Sequence, residues 1–130
     1  MRPKATGLTL LAGLALATPA AASGAIVCDG EAGVFAHLAT GRLPVLRIIG
    51  AYVEAGGSAW STGPERGDGT PFVAGQGFAD NQRVLVDFTD PNIESILVSL
   101  RLRFDGDEDQ PMTGVLTAAG KNYDVMCGEG

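Results

Sequence analysis

The clearest pattern in the chain is strict alternation. From Ser95 to Phe104, Ile96, Val98, Leu100, Leu102 and Phe104 take every second place, with Ser95, Leu97, Ser99, Arg101 and Arg103 between them. A repeat of two puts the first set on one face of a strand, whereas a helix would scatter those apolar groups around its axis. Val84, Val86 and Phe88 repeat the pattern, alternating with Arg83, Leu85 and Asp87. Between the two rows, Thr89-Asp90-Pro91-Asn92 predicts a turn or a single helical turn, with Thr89 or Asp90 as its cap and Pro91 in an early position. Asp105-Gly106 predicts the next turn. A strand follows over Thr113 to Ala118, Ala119-Gly120-Lys121-Asn122 turns the chain, and Tyr123 to Cys127 returns it. The last three strands therefore read as a meander.

The first half is less regular. Val45 to Glu54 reads as a strand bent at Gly50. Ser58 to Ser61, around Trp60, and Phe72 to Ala79 read as short strands, and Gly75 and Gly77 imply a bulge or a close backbone approach in the latter. Glu31 to Thr40 has two readings. Val34, Ala36 and Leu38 alternate as in a strand, yet Asp29 is placed to cap a helix with Val34, Phe35 and Leu38 on its apolar side and Gly41 at its end. The strand is favoured. The expected fold class is all-β: a small antiparallel barrel or two-sheet sandwich of seven or eight short strands. A barrel is preferred because closure removes edge strands.

The segment before this pattern reads differently. Arg2 and Lys4 precede an apolar Leu/Ala run over Leu8 to Ala17, and Ala20 and Ala22 match an A-x-A cleavage site. These are the three parts of a secretory signal, so residues 1–22 are expected to be removed after Ala22, leaving one domain over residues 23–130. The apolar run is shorter than the ~20 residues a membrane-crossing helix needs, so no stable membrane insertion is expected after cleavage. Val27 stands where a lipoprotein signal needs a small residue before Cys28, which argues against lipidation.

Cysteine usage and charge follow from that leader. Cys28 and Cys127 are the only cysteines. In an exported chain they predict one disulfide tying the two ends together, in the periplasm or the medium. The leader carries two of the nine basic residues and none of the fifteen acidic ones, so the 108 residues that remain have a net charge of −8. Such a surface repels nucleic acid and anionic lipid and suits a basic protein partner.

Candidate chemistry is sparse. Asp105, Asp107 and Asp109, with Glu108, imitate the start of a calcium loop, but an EF-hand needs Gly and Glu where this chain has Gln110 and Leu116. The cluster reads as a solvated hairpin tip, and no metal site is assigned. His37 is the only histidine. It has no nucleophile-elbow motif to serve and too few companions for zinc. Glu54, Glu65, Asp68 and Asp87 read as surface charges rather than a glycosidase pair. Arg66-Gly67-Asp68 is the integrin-recognition tripeptide, but turn formation alone explains the Gly-rich segment Ser61 to Pro71, and adhesion is not assigned. Tyr52, Trp60, Phe72 and Phe78 flank that segment as core residues or as a binding patch. If the chain has a binding surface, this loop is its expected place, with Trp60, Glu65, Arg66 and Asp68 as binding residues.

In outline the chain is similar to small periplasmic β-barrel inhibitors of lysozyme and of secreted proteases: an export signal, a short acidic domain and cysteines near both ends. It lacks the Ser-Gly-x-x-Tyr loop of membrane-bound and periplasmic lysozyme inhibitors, and no family is assigned. The expectation is a non-enzymatic exported β domain, without a cofactor, that binds another macromolecule, with inhibition of a basic hydrolase as one form of that binding. A carrier of small apolar ligands in an open barrel, with Trp60 at its mouth, is the alternative. A structural part of the cell envelope is a further one.

Overall fold

The computed structural model describes residues 23–41, 45–105 and 112–130. Ten strands account for most of them: β1 (Ser23–Gly30), β2 (Phe35–Gly41), β3 (Ile48–Ala55), β4 (Ser58–Ser61), β5 (Thr70–Pro71), β6 (Val73–Ala79), β7 (Arg83–Thr89), β8 (Ile96–Phe104), β9 (Met112–Ala118) and β10 (Lys121–Glu129). They form one sheet in the order β5-β4-β3-β2-β1-β10-β9-β8-β7-β6. Two meanders, β1 to β4 and β6 to β10, therefore meet where the first strand pairs with the last. The two edges of the sheet, β5 and β6, are separated in sequence by Phe72 alone, whose N–H donates to the Ser61 carbonyl at 3.1 Å. The chain itself thus passes from one edge to the other, and the sheet is a nearly closed barrel.

The strand count is ten rather than seven or eight. The expected strands all occur, with shifted ends. The two that the pattern did not reveal are β1, whose apolar stretch Ala25-Ile26-Val27 lies directly behind residues 1–22, and β5, which is only two residues long. The barrel is also not wholly antiparallel, because β4 and β5 pair in parallel. The helical reading of Glu31 to Thr40 fails. Asp29 lies within β1, a single 3-10 turn occupies Glu31–Gly33, and Ala32 and Gly33 have positive φ (61° and 74°) that no α-helix accommodates.

Alternation places the core inside the barrel. One inward row runs Met112–Cys127–Cys28–Ala36–Val53–Trp60 through five successive strand pairings. A second runs Val86–Leu100–Leu116–Tyr123. Phe72 and Phe88 stack with ring centroids 4.3 Å apart, and both are buried. Each large side chain withdrawn from water in this way stabilises the fold by roughly 1.5–3 kcal/mol.

Cys28 and Cys127 are bonded, and they face each other directly across the β1–β10 ladder with Cα atoms 4.1 Å apart. The bridge therefore joins the pair of strands that unites the two meanders, and it suits a non-reducing compartment. Among the described residues, no helix is long and apolar enough to cross a membrane. Residues 1–22, which the sequence reads as an export signal, lie outside the described residues.

Candidate functional site

The same alternation that fills the interior sets out the exterior in rows. Arg83, Arg103, Thr113, Met126 and Asp29 are successive outward neighbours across β7, β8, β9, β10 and β1. Leu85, Arg101, Val115 and Asp124 form the adjacent row. Across these rows lies a groove of about 620 Å³, with Asp29, Glu31 and Asp124 on its β1–β10 side and Arg103 on its β8 side. Thr113, Val115 and Met126 line the stretch between them.

Two glycines let the strands close up here. A side-chain carbon on Gly114 would lie 1.9 Å from the Arg101 carbonyl oxygen, and one on Gly30 would lie 2.1 Å from that of Asp124. Both distances are far inside van der Waals contact, so only glycine permits this approach of neighbouring backbones.

The arginines of this face differ in use. Arg101 ion-pairs with Asp87 at 2.9 Å and donates to the carbonyls of Val86 and Leu100, while the Ser99 hydroxyl donates to the same Asp87 carboxylate at 2.9 Å. Arg101 thus holds β7 to β8, a task worth at most about 1 kcal/mol for so exposed a pair. Arg103, two residues further on, turns towards the groove beside Thr113.

The Gly-rich loop behaves otherwise than as a free binding segment. It folds back on the outer face of β3. The Thr62 N–H donates to the Ala51 carbonyl and the Ala51 N–H to Thr62 Oγ1, at 3.1 and 3.0 Å, so Thr62 continues the ladder. The Ser61 hydroxyl donates to the Gly63 carbonyl at 2.6 Å, and the Arg66 N–H closes a turn onto the same oxygen at 2.9 Å. Arg66 lies over Gly50, where a Cβ would meet its Nε at 2.4 Å. That Nε is enclosed without an acceptor among the described residues. The Tyr52 ring packs on Gly67, and the Tyr52 hydroxyl donates to Glu54 at 2.5 Å. That hydrogen bond to a carboxylate raises the Tyr52 pKa above its ordinary value.

Of the four expected binding residues, Glu65 and Asp68 are exposed, Arg66 is half-buried and Trp60 is 7% exposed within the core. A hollow of about 280 Å³ adjoins Asp68, lined by Ser61, Thr62 and the Gly-Pro residues of the loop. The aromatic group divides. Phe72 joins Trp60 in the core, Tyr52 covers the loop, and Phe78 stands on the outside with the Arg83 guanidinium 5.7 Å from its ring centre.

His37 faces outward between Val27 and Tyr52, with Ser61 one strand beyond Tyr52. The Ser61 hydroxyl is occupied by Gly63, so the two are not arranged as base and nucleophile. Asp105 accepts from the Thr113 hydroxyl at 3.3 Å, while Asp107, Glu108, Asp109 and Gln110 lie outside the described residues. Among the described residues no three His, Cys, Asp or Glu side chains converge to hold a metal ion. Among the described residues the inward side chains form one buried cluster that includes Trp60.

The groove was missed from sequence because its acidic residues, Asp29 and Glu31 on one side and Asp124 on the other, lie more than ninety positions apart in the chain. One signal pointed to it: a bridge between Cys28 and Cys127 in paired strands puts Asp29 opposite Met126 and brings Asp124 close. No family model, curated protein or solved structure significantly matches the chain.

Proposed function

We propose that this protein is an exported, non-catalytic β-barrel that binds a basic macromolecule through the groove across β8, β9, β10 and β1. The observation that carries the reading is the gathering of Asp29, Glu31 and Asp124 on one side of a groove with an apolar floor. The net charge of −8 on residues 23–130 adds a long-range field of the same sign. A field of that kind steers a cationic partner and speeds encounter, and salt weakens it. Inhibition of a basic hydrolase is one form such binding would take, with the barrel acting as a rigid plug. The leader-like residues 1–22 and the Cys28–Cys127 bridge support export to the periplasm or the medium.

The test is affinity capture on the immobilised oxidised protein from envelope and secreted fractions at low salt, eluted with a salt gradient. A basic protein released by salt, and no longer retained by an Asp29→Asn/Asp124→Asn variant, is the expected result. An empty eluate, or retention unchanged in that variant, would overturn the proposal.

A further inference from the structure

The groove is not uniformly acidic, and its polarity narrows what it fits. Resting on the binding function proposed above, we infer that it receives the carboxy-terminal lysine of a partner polypeptide. Asp29, Glu31 and Asp124 stand on one side and Arg103 on the other. Arg103 and Asp29 belong to one outward row, separated by Thr113 and Met126. Three interstrand spacings lie between them, about 14 Å along the sheet. The carboxylates suit an ammonium group. The guanidinium suits a carboxylate, which it grips in a planar fork.

Val115 and Met126 between the two sides offer an apolar bed for an aliphatic stem, and Met126 is 48% exposed as the groove stands. A methionine adapts its shape to such a stem. A ligand that satisfies all three regions carries an anion and a cation joined by a short apolar linker. In a polypeptide that combination occurs at a terminal lysine, whose four-carbon stem joins its ammonium to a residue bearing the chain's free carboxylate. An internal lysine satisfies only the acidic side, and a terminal apolar residue only the basic side.

Arg101, the nearer alternative cation, is already engaged by Asp87 and by two backbone carbonyls, so the carboxylate falls to Arg103. Both groove sides are exposed, which keeps the site open to an incoming chain end. The Thr113 hydroxyl beside the guanidinium already donates its one proton to Asp105, so the carboxylate is held by Arg103 alone.

The experiment compares three acetylated tetrapeptides by calorimetric titration of the oxidised protein: Gly-Gly-Gly-Lys with a free carboxylate, the same peptide amidated, and Gly-Gly-Gly-norleucine with a free carboxylate. The free-acid lysine peptide is expected to bind about tenfold more tightly than either of the others, as befits loss of one charged hydrogen-bonded contact. Arg103→Gln should abolish the preference for acid over amide, and Arg103→Lys should restore part of it. Asp29→Asn/Asp124→Asn should abolish the preference for lysine over norleucine.

Equal binding of all three peptides, or binding of none, overturns the inference. Poly-L-lysine separates that failure from a failure of the binding function. Salt-sensitive retention of poly-L-lysine that depends on Asp29 and Asp124, without any chain-end preference, leaves the basic-partner reading standing and removes the terminal-lysine one. No retention of poly-L-lysine removes both.

Discussion

Breaking the Cys28–Cys127 bond should remove a large part of this barrel's stability without changing its folded contacts. The two cysteines are 99 positions apart, so the bridge closes nearly all of the domain into one loop when the chain unfolds. Loop-closure entropy assigns about 4.7 kcal/mol to a loop of that length, and measured bridges commonly give about 2–4 kcal/mol. In the folded state the cost of losing the bond is small, because the β1–β10 ladder from Ile26–Glu129 to Gly30–Val125 already holds the two residues side by side. The effect is therefore on the unfolded state.

Domains of this size are stable by about 5–15 kcal/mol in total, so the loss is a substantial share. Both sulfurs belong to the core, with Cys28 at 0% and Cys127 at 3% exposure. A reductant should thus leave the bond intact under native conditions and cleave it once urea opens the barrel. The assay is urea unfolding of the oxidised protein and of protein reduced in denaturant, alkylated at neither sulfur and refolded under reductant. With a slope of about 1.5 kcal/mol/M, the midpoint should fall by roughly 1.5–3 M. A fall below about 0.5 M would refute the reasoning, and so would rapid reduction of the native protein.

Gly114→Ala should destabilise the barrel by about 3 kcal/mol or more, since the new carbon meets a backbone oxygen that cannot move aside; Gly128→Ala, with nothing within 4 Å, should shift the urea midpoint little. Acid should weaken the fold through Asp90 and Asp80. The Asp90 carboxylate accepts from the N–H groups of Ser95, Glu94 and Asn92, and the Asp80 carboxylate from those of Gln82 and Arg83, which holds both pKa values below the ordinary 3.8. Groups depressed in the folded state add stability that is complete above the ordinary value and lost as the pH falls through the folded one. Urea midpoints measured from about pH 6 down to pH 2 should decline below about pH 4, and Asp80→Asn/Asp90→Asn should flatten that decline. An equal decline in the double variant would show that other carboxylates govern acid unfolding.

How much of this was legible in the chain differs by element. The rows in β7 and β8 were plain because one face is buried and the other wet, which imposes a repeat of two. Asp90 was legible as an organiser of the turn that follows, and its carboxylate does accept the loop amides, with Ile93 held at a positive φ of 60°. β1 was not legible, because Ser23 to Gly30 has too few alternating positions to stand apart from the Ala-rich residues before it. β5 was not legible because two residues make no pattern. Alternation also cannot distinguish a barrel from a sandwich. That choice rests on which strands pair, and here it rests on β1 with β10 and on the passage through Phe72. The Gly-rich loop showed its turn chemistry in sequence but not that Gly50 leaves room for Arg66 to lie down against β3. Trp60 showed an aromatic ring but not that its row points inward.

The most direct test of the proposed binding groove is an amide chemical-shift map of the oxidised protein titrated with poly-L-lysine at low salt. The account predicts shifts concentrated on Asp29, Thr113, Val115, Asp124 and Met126 that fade as salt is added. Shifts centred on Glu65 to Asp68, or spread evenly over every exposed carboxylate, would contradict it.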